Sequence, residues 1–193
     1  MRIGPNPGHS LFPSGINPIF VAIQMNKELD RIGPDDTDAF AKFIARRLLI
    51  LASEDIGNAN PTALVIANNT FQAVTTIGFP EARIILSQCV TYLATSPKSN
   101  AAYMAINQAQ SAVKKTGNLS VPLSIRNAPT KLMKDIGYGK DYKYAHNHEN
   151  NFVEAEFLPD EIKNTKFYDP GNNPRENAQR EFLKKRWKTK YNY

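Results

Sequence analysis

The sequence predicts an all-α fold, a compact domain of several helices with irregular tails. Apolar residues recur at three- and four-residue spacing along most of the chain. Short breaks that contain proline or glycine separate these periodic stretches, and no stretch shows the alternation of a half-buried strand. Helices joined by short turns are typical of a bundle or of a layered helical domain.

The composition is that of one basic domain. A chain of 193 residues with 41% hydrophobic residues can bury a single core. The net charge of +6 favours an anionic partner such as DNA. The one cysteine, Cys89, excludes an internal disulfide and indicates a reducing compartment. Its apolar helical surroundings predict a small buried hydrophobe rather than a nucleophile. No apolar run is long enough to span a membrane.

The helices are predicted from their start and stop signals. Residues 1–15 are rich in proline and glycine and are predicted to be irregular. The side chains of Asn60 and Ser99 can cap a helix, and Pro61 and Pro80 suit the first helical position. Five helices are predicted over the first two thirds of the chain, at residues 16–32, 38–53, 61–76, 80–95 and 99–115.

Two of these helices have a predicted packing role. The helix over residues 80–95 is apolar on much of its circumference, which predicts a central buried position. The helix over residues 99–115 is rich in alanine, so we expect a neighbouring helix to approach it closely.

Residues 121–144 are the most unusual stretch. Asn127 is predicted to cap a short helix with an apolar face, and Gly137 is predicted to end it. Tyrosines and lysines then alternate, which suits base stacking and phosphate neutralisation by a nucleic-acid surface. The alternative is that the tyrosines pack on the helices while the lysines are solvated. The candidate contacts to DNA or to another subunit are Lys131, Lys134, Tyr138, Lys140, Tyr142 and Lys143.

A second candidate site is a group of charged residues near residue 50. Glu54 and Asp55 fall at the predicted C-terminal end of a helix, where the helix dipole disfavours acids. Arg46 and Arg47 precede them by two turns and can offset this charge. We predict a structural ion-pair cluster of these four residues, with a subunit contact as the alternative.

The sequence lacks the motifs of a catalytic site. No Gly-x-x-x-x-Gly-Lys-Ser/Thr loop occurs, so this chain alone is not predicted to hydrolyse ATP. His146, His148 and Glu149 have ligand-like spacing, but no second cluster completes a metal site. We therefore predict no catalytic, cofactor-binding or metal-binding residue in this chain.

Several separate blocks carry a family resemblance. In their order and spacing they resemble the C-terminal part of the replication-associated recombination protein A family, also called MgsA, whose eukaryotic relative is the Werner-helicase-interacting protein. The blocks are residues 44–57 (IARRLLILASEDIG), 92–100 (YLATSPKSN), 127–140 (NAPTKLMKDIGYGK), 142–146 (YKYAH) and 157–161 (FLPDE).

The resemblance implies a domain organisation. Residues 36–168 would form the helical C-terminal domain of an AAA+ ATPase, similar to the oligomerisation domain of clamp loaders. Residues 1–35 do not match the family and form a divergent N-terminal segment. Residues 169–193 are predicted to be a polar basic tail, either solvated or in contact with DNA, with a charged helix over residues 175–190.

The resemblance also implies a function. The domain would assemble as a homo-tetramer and hold ATPase modules together in replication-fork maintenance, recombination and repair. ATP and Mg would bind an ATPase part absent from this chain. DNA and single-strand-binding or other replication proteins would be partners, and the location would be the bacterial cytoplasm, at the nucleoid. Two alternatives stay open: a DNA-binding module that uses residues 131–144, and an unrelated helical enzyme.

Overall fold

A computed structural model of the protein describes residues 37–193, and the segments predicted over residues 1–15 and 16–32 lie outside this range. The described chain is all-helical, which confirms the predicted fold class, and no strand occurs among these residues. The α-helices are α1 (Thr37–Leu51), α2 (Thr62–Ile77), α3 (Ala82–Ala94), α4 (Ala101–Thr116), α5 (Lys131–Asp135) and α6 (Pro174–Trp187). Their bounds lie within a few residues of the predicted ones wherever a helix was predicted between residues 37 and 193.

The chain divides into two compact units. The described part of the first unit comprises residues 37–103 together with residues 171–176. The second unit comprises residues 104–170 and 177–193.

Helices α1, α2 and α3 pack against one another and enclose the core of the first unit. Fully buried alanines face this core from α1 and α2, among them Ala41, Ala45, Ala63 and Ala67. Because the distance between packed helices depends on the side chains at their contact, these alanines let α1 and α2 approach closely. Close approach was predicted for the alanine-rich residues 99–115, but the fully buried alanines lie on the earlier helices.

Cys89 is fully buried on α3, as predicted. Burial raises the pKa of its thiol, and the hydrogen bond with the Thr70 side chain opposes this only in part. A buried thiol with a raised pKa is a poor nucleophile, which agrees with its role as a small core residue.

Asn60 links two helices instead of capping one. Its side-chain amide donates to the Tyr92 hydroxyl at 3.1 Å and to the Ser96 hydroxyl at 3.0 Å. The predicted capping role for this side chain is therefore wrong, and Pro61 occupies the cap position of α2. Ser99 does act as predicted, since its hydroxyl accepts from the Ala101 amide at 3.3 Å.

Gly57 permits a close approach of two backbone segments. Helix α1 continues into a π-helical turn, Ala52–Ile56, and this turn ends at Gly57, whose φ is +49°. A Cβ at this position would lie 2.7 Å from the Ser99 carbonyl oxygen. The Ser99 amide also donates to the Asp55 carbonyl at 2.8 Å. Only glycine suits both the backbone angle and the available space.

Helix α6 lies in the segment that was predicted to be a polar basic tail. The helix predicted over residues 175–190 is observed as Pro174–Trp187. The segment is not a free tail, because Glu176 is fully buried and the Trp187 ring packs edge-on against Phe152 at 4.9 Å between ring centres. These contacts hold both ends of α6 against the rest of the chain.

Candidate interaction surfaces

Helix α4 exposes an uncharged, apolar stripe to solvent. Tyr103, Ile106 and Val113 share one side of the helix, and their exposed fractions are 40%, 54% and 59%. The first charged residue of the helix is Lys114. No other described helix packs extensively along α4. A helix with large apolar side chains and no charge over most of its length is unusual for a purely solvated surface.

The short helix α5 is capped differently from the prediction. Thr130, not Asn127, is the N-cap, and its hydroxyl accepts from the Met133 amide at 3.3 Å. The predicted stop at Gly137 is confirmed: its φ is +92°, and the Tyr138 amide donates to the Met133 carbonyl at 3.0 Å. This backbone pattern is a Schellman motif.

Arg126 fixes Tyr138 onto this segment. Its Nη1 donates to the Tyr138 hydroxyl at 3.1 Å, and its guanidinium carbon lies 5.0 Å from the centre of the ring. Its Nε donates to the Val121 carbonyl at 2.6 Å. Tyr138, one of the candidate contact residues, is therefore half-buried and held by the segment itself.

The other candidate residues of this segment reach solvent. Tyr142 is 58% exposed, and all four candidate lysines are exposed. None of these lysines lies within 4 Å of a carboxylate in the part of the chain that the structure describes. This lysine-rich exposed segment, which also contains the exposed acids Asp135 and Asp141, presents Lys131, Lys134, Lys140, Tyr142 and Lys143 to solvent. We call it the Lys131–Lys143 surface.

The predicted cluster near residue 50 is not seen between residues 37 and 193. No ion pair within 4 Å joins Arg46 or Arg47 to Glu54 or Asp55 there. The guanidinium of Arg46 instead lies 5.4 Å from the centre of the Phe43 ring. The two acids lie in the π-helical turn rather than at the end of a regular α-helix, so their spacing from the arginines differs from the predicted one.

The start of α6 forms a buried polar cluster that the sequence analysis missed. Asn173 and Glu176 form a reciprocal cap: the Glu176 amide donates to Asn173 Oδ1 at 3.0 Å, and the Asn173 amide donates to the Glu176 carboxylate. A Cβ on Gly171 would lie 2.7 Å from Glu176 Oε2 and 2.8 Å from the Ser99 hydroxyl. The cluster is therefore tightly enclosed. The signal was present in the sequence, as a capping residue before a proline with glutamate three positions later.

Lys190 lies at the centre of an aromatic cluster in the second unit. Its Nζ donates to the Ala155 carbonyl at 2.7 Å, pairs with Glu156 Oε2 at 3.3 Å, and lies 4.9 Å from the centre of the Trp187 ring. Burial opposes the ionisation of Glu156, but the Leu158 and Asn164 amides and the Lys190 ammonium together lower its pKa. No sequence signal links residues 34 positions apart, so this pair could not be predicted.

A metal-binding group and a membrane-spanning helix are both absent from the described residues. Between residues 37 and 193, no three His, Cys, Asp or Glu side chains are grouped closely enough to hold a metal ion. The helices in that same range are all too short or too polar to cross a membrane.

Comparison with known proteins identifies the class to which this helical domain belongs. The family model described as "MgsA AAA+ ATPase C terminal" matches residues 37–187. The chain therefore belongs to the family of C-terminal domains of MgsA-type AAA+ ATPases, as its resemblance predicted.

Curated relatives agree with this assignment. The chain is 44% identical over 145 residues to replication-associated recombination protein A of Coxiella burnetii, covering 75% of this chain and 32% of that protein. It is 43% identical over 131 residues to the protein of the same name from Escherichia coli K12, covering 67% and 29%. It is 42% identical over 128 residues to ATPase WRNIP1 of Dictyostelium discoideum, covering 66% and 15%. The chain thus spans less than a third of the length of these relatives.

Proposed function

We propose that this domain, similar to the oligomerisation domain of clamp loaders, assembles the subunits of a replication-associated AAA+ ATPase as a homo-tetramer. The exposed apolar stripe of α4 is the observation that carries this proposal. Interface cores are depleted of charged residues and enriched in aromatic residues and methionine. Helix α4 has this composition, with Tyr103 and Met104 exposed and no charge before Lys114.

The whole protein would act in replication-associated recombination, the process that the relatives' names give. ATP and Mg would bind an ATPase part outside this chain, and this domain would hold several such parts together. DNA and single-strand-binding or other replication proteins are the partners we propose for the assembly. In a closed, symmetric oligomer the same helix face recurs in every subunit, so one stripe can serve all equivalent contacts.

Charge insertion into the stripe tests the assembly role. We expect the double substitution Ile106→Arg and Val113→Arg to lower the mass of the particle measured by light scattering, because buried unpaired charges oppose association. The control is Ile84→Arg on α3, where the exposed fraction of 59% is comparable but lies outside the stripe. A double variant with the mass of the wild type, and with an unchanged circular dichroism spectrum, would remove α4 from the interface.

A second candidate function is DNA binding by the Lys131–Lys143 surface. Its lysines are exposed and form no ion pair within 4 Å among residues 37–193, which favours this function, since each lysine that neutralises a phosphate releases counterions. We expect changing Lys140 and Lys143 to Ala to reduce the slope of log affinity against log salt by about two. The control is the pair Lys114→Ala and Lys115→Ala at the end of α4. Equal slopes for the wild type and the first variant would exclude DNA contact at these lysines.

A further inference from the structure

The C-terminal half of α6 carries an aromatic ring stacked under a guanidinium. Phe182 is 53% exposed, and the guanidinium carbon of Arg186 lies 3.6 Å from the centre of its ring. The same guanidinium lies 5.9 Å from the centre of the Phe152 ring. Among residues 37–193, no carboxylate lies within 4 Å of Arg186. Aromatic rings, not acids, therefore hold this charge in position.

Further cations follow Phe182 along the chain. Lys184 and Lys185 are exposed, and neither forms an ion pair within the described chain. Lys188 does have an acidic neighbour, Glu154, at 3.5 Å. Both side chains of that pair are well exposed, so solvent screens it and it contributes little. The sequence from residue 182 to residue 190 contains five cations and no acid, and Glu181 is the nearest acid before it.

An exposed aromatic ring under a guanidinium, with further cations on the same helix, suits the binding of an unpaired nucleic-acid strand. Proteins that bind single strands place cations along the phosphates and aromatic or guanidinium planes against the bases. An exposed ring that already carries a planar cation offers such a surface, and Lys185 on the same side of the helix can neutralise an adjacent phosphate. In a duplex the faces of the bases are already stacked on one another and are not available to the ring.

We propose that Phe182 and Arg186 form a stacking platform for an unpaired base, and that Lys185, three residues after Phe182 on the same side of the helix, contacts an adjacent phosphate. The bound molecule is a single-stranded nucleic acid. This site lies on α6, apart in sequence from the Lys131–Lys143 surface, and its observations do not depend on the assembly of subunits.

The test compares two strands of equal charge. The full chain is titrated, by fluorescence anisotropy, with a labelled 20-nucleotide oligothymidylate and with a 20-unit abasic strand. We expect the wild type to bind the strand with bases about ten-fold more tightly, because stacking on an aromatic ring adds to phosphate contacts. Phe182→Ala abolishes this preference and retains binding of the abasic strand. Arg186→Lys keeps the positive charge but removes the planar guanidinium, so we expect it to reduce the preference for the strand with bases.

A substitution of the phosphate-contacting lysine and a matched control complete the design. Lys185→Ala weakens the binding of both strands and reduces the salt slope by about 0.7, the contribution of one single-strand phosphate contact. Phe43→Ala is the matched control, because Phe43 is 49% exposed and also lies under an arginine, Arg46. We expect it to leave the preference unchanged.

Three outcomes would overturn the proposal. The first is equal affinity of the wild type for the two strands. The second is an unchanged preference in both Phe182→Ala and Arg186→Lys. The third is an equal loss of this preference in Phe43→Ala, which would show that any exposed phenylalanine under an arginine is sufficient. Because the particle mass is measured separately, failure of this site and failure of the assembly role give different results.

Discussion

The buried cap at the start of α6 gives the sharpest prediction about stability. Glu176→Ala removes one buried methylene group, worth about 0.8 kcal/mol. It also leaves the buried Asn173 amide without its carboxylate acceptor, which costs about 1–3 kcal/mol. Relief from burying a carboxylate offsets part of this loss. We expect a net loss of about 2 kcal/mol, which corresponds to a fall in Tm of about 4–8 °C for a chain of this size.

Thermal unfolding followed by circular dichroism measures this effect. Glu176→Gln keeps the shape and an acceptor oxygen, so we expect it to retain more stability than the alanine variant. Glu181→Ala is the matched control, since Glu181 is an exposed glutamate on the same helix. The account of the cap would be refuted if Glu176→Ala had the same Tm as Glu181→Ala.

Three further predictions concern other contacts. The lowered pKa of Glu156 means that its ionised form stabilises the fold above its unfolded pKa, near the ordinary value of 4.5, and that this contribution disappears as the pH falls. Tm should therefore drop less steeply in Glu156→Gln than in the wild type between about pH 6 and about pH 3, the range in which a glutamate titrates. Parallel curves for the two proteins would contradict this. Tyr138→Phe removes the hydroxyl that accepts from a guanidinium and should lower the free energy of unfolding, measured in urea, by about 1 kcal/mol; an unchanged value would mean that this bond contributes nothing. Gly57→Ala should destabilise more than Gly117→Ala, because both positions have positive φ but only at Gly57 would a Cβ meet the Ser99 carbonyl; equal Tm values would show that the close approach is unimportant.

The first four described helices could be predicted from the sequence because their signals are local. Apolar spacing and the prolines at their starts indicated α1 to α4 within a few residues of the observed bounds. The role of Asn60 could not be predicted in this way. Its side chain can either cap its own helix or reach a residue 32 positions away, and only the packing of α2 against α3 decides between them.

The interaction surfaces were predicted less completely. The exposed lysines of the Lys131–Lys143 surface agree with the expectation of solvated charge, but the arginine that holds Tyr138 was not foreseen, because it lies 12 residues earlier. Phe182 and Arg186 are four residues apart on α6, but the contact of Arg186 with Phe152 and the environment of Lys190 depend on segments that are distant in sequence. Burial and ring geometry of this kind follow from tertiary packing, which periodicity does not encode.

The measurement that tests the central proposal most directly is the mass of this chain in solution, by light scattering after gel filtration over a range of concentrations. The chain has a mass of 21.6 kDa. A homo-tetramer predicts a particle of about four times that mass, with little change on dilution, because apolar stripes buried between subunits hold it together. A particle of 21.6 kDa at every concentration would contradict an assembly role for this domain on its own.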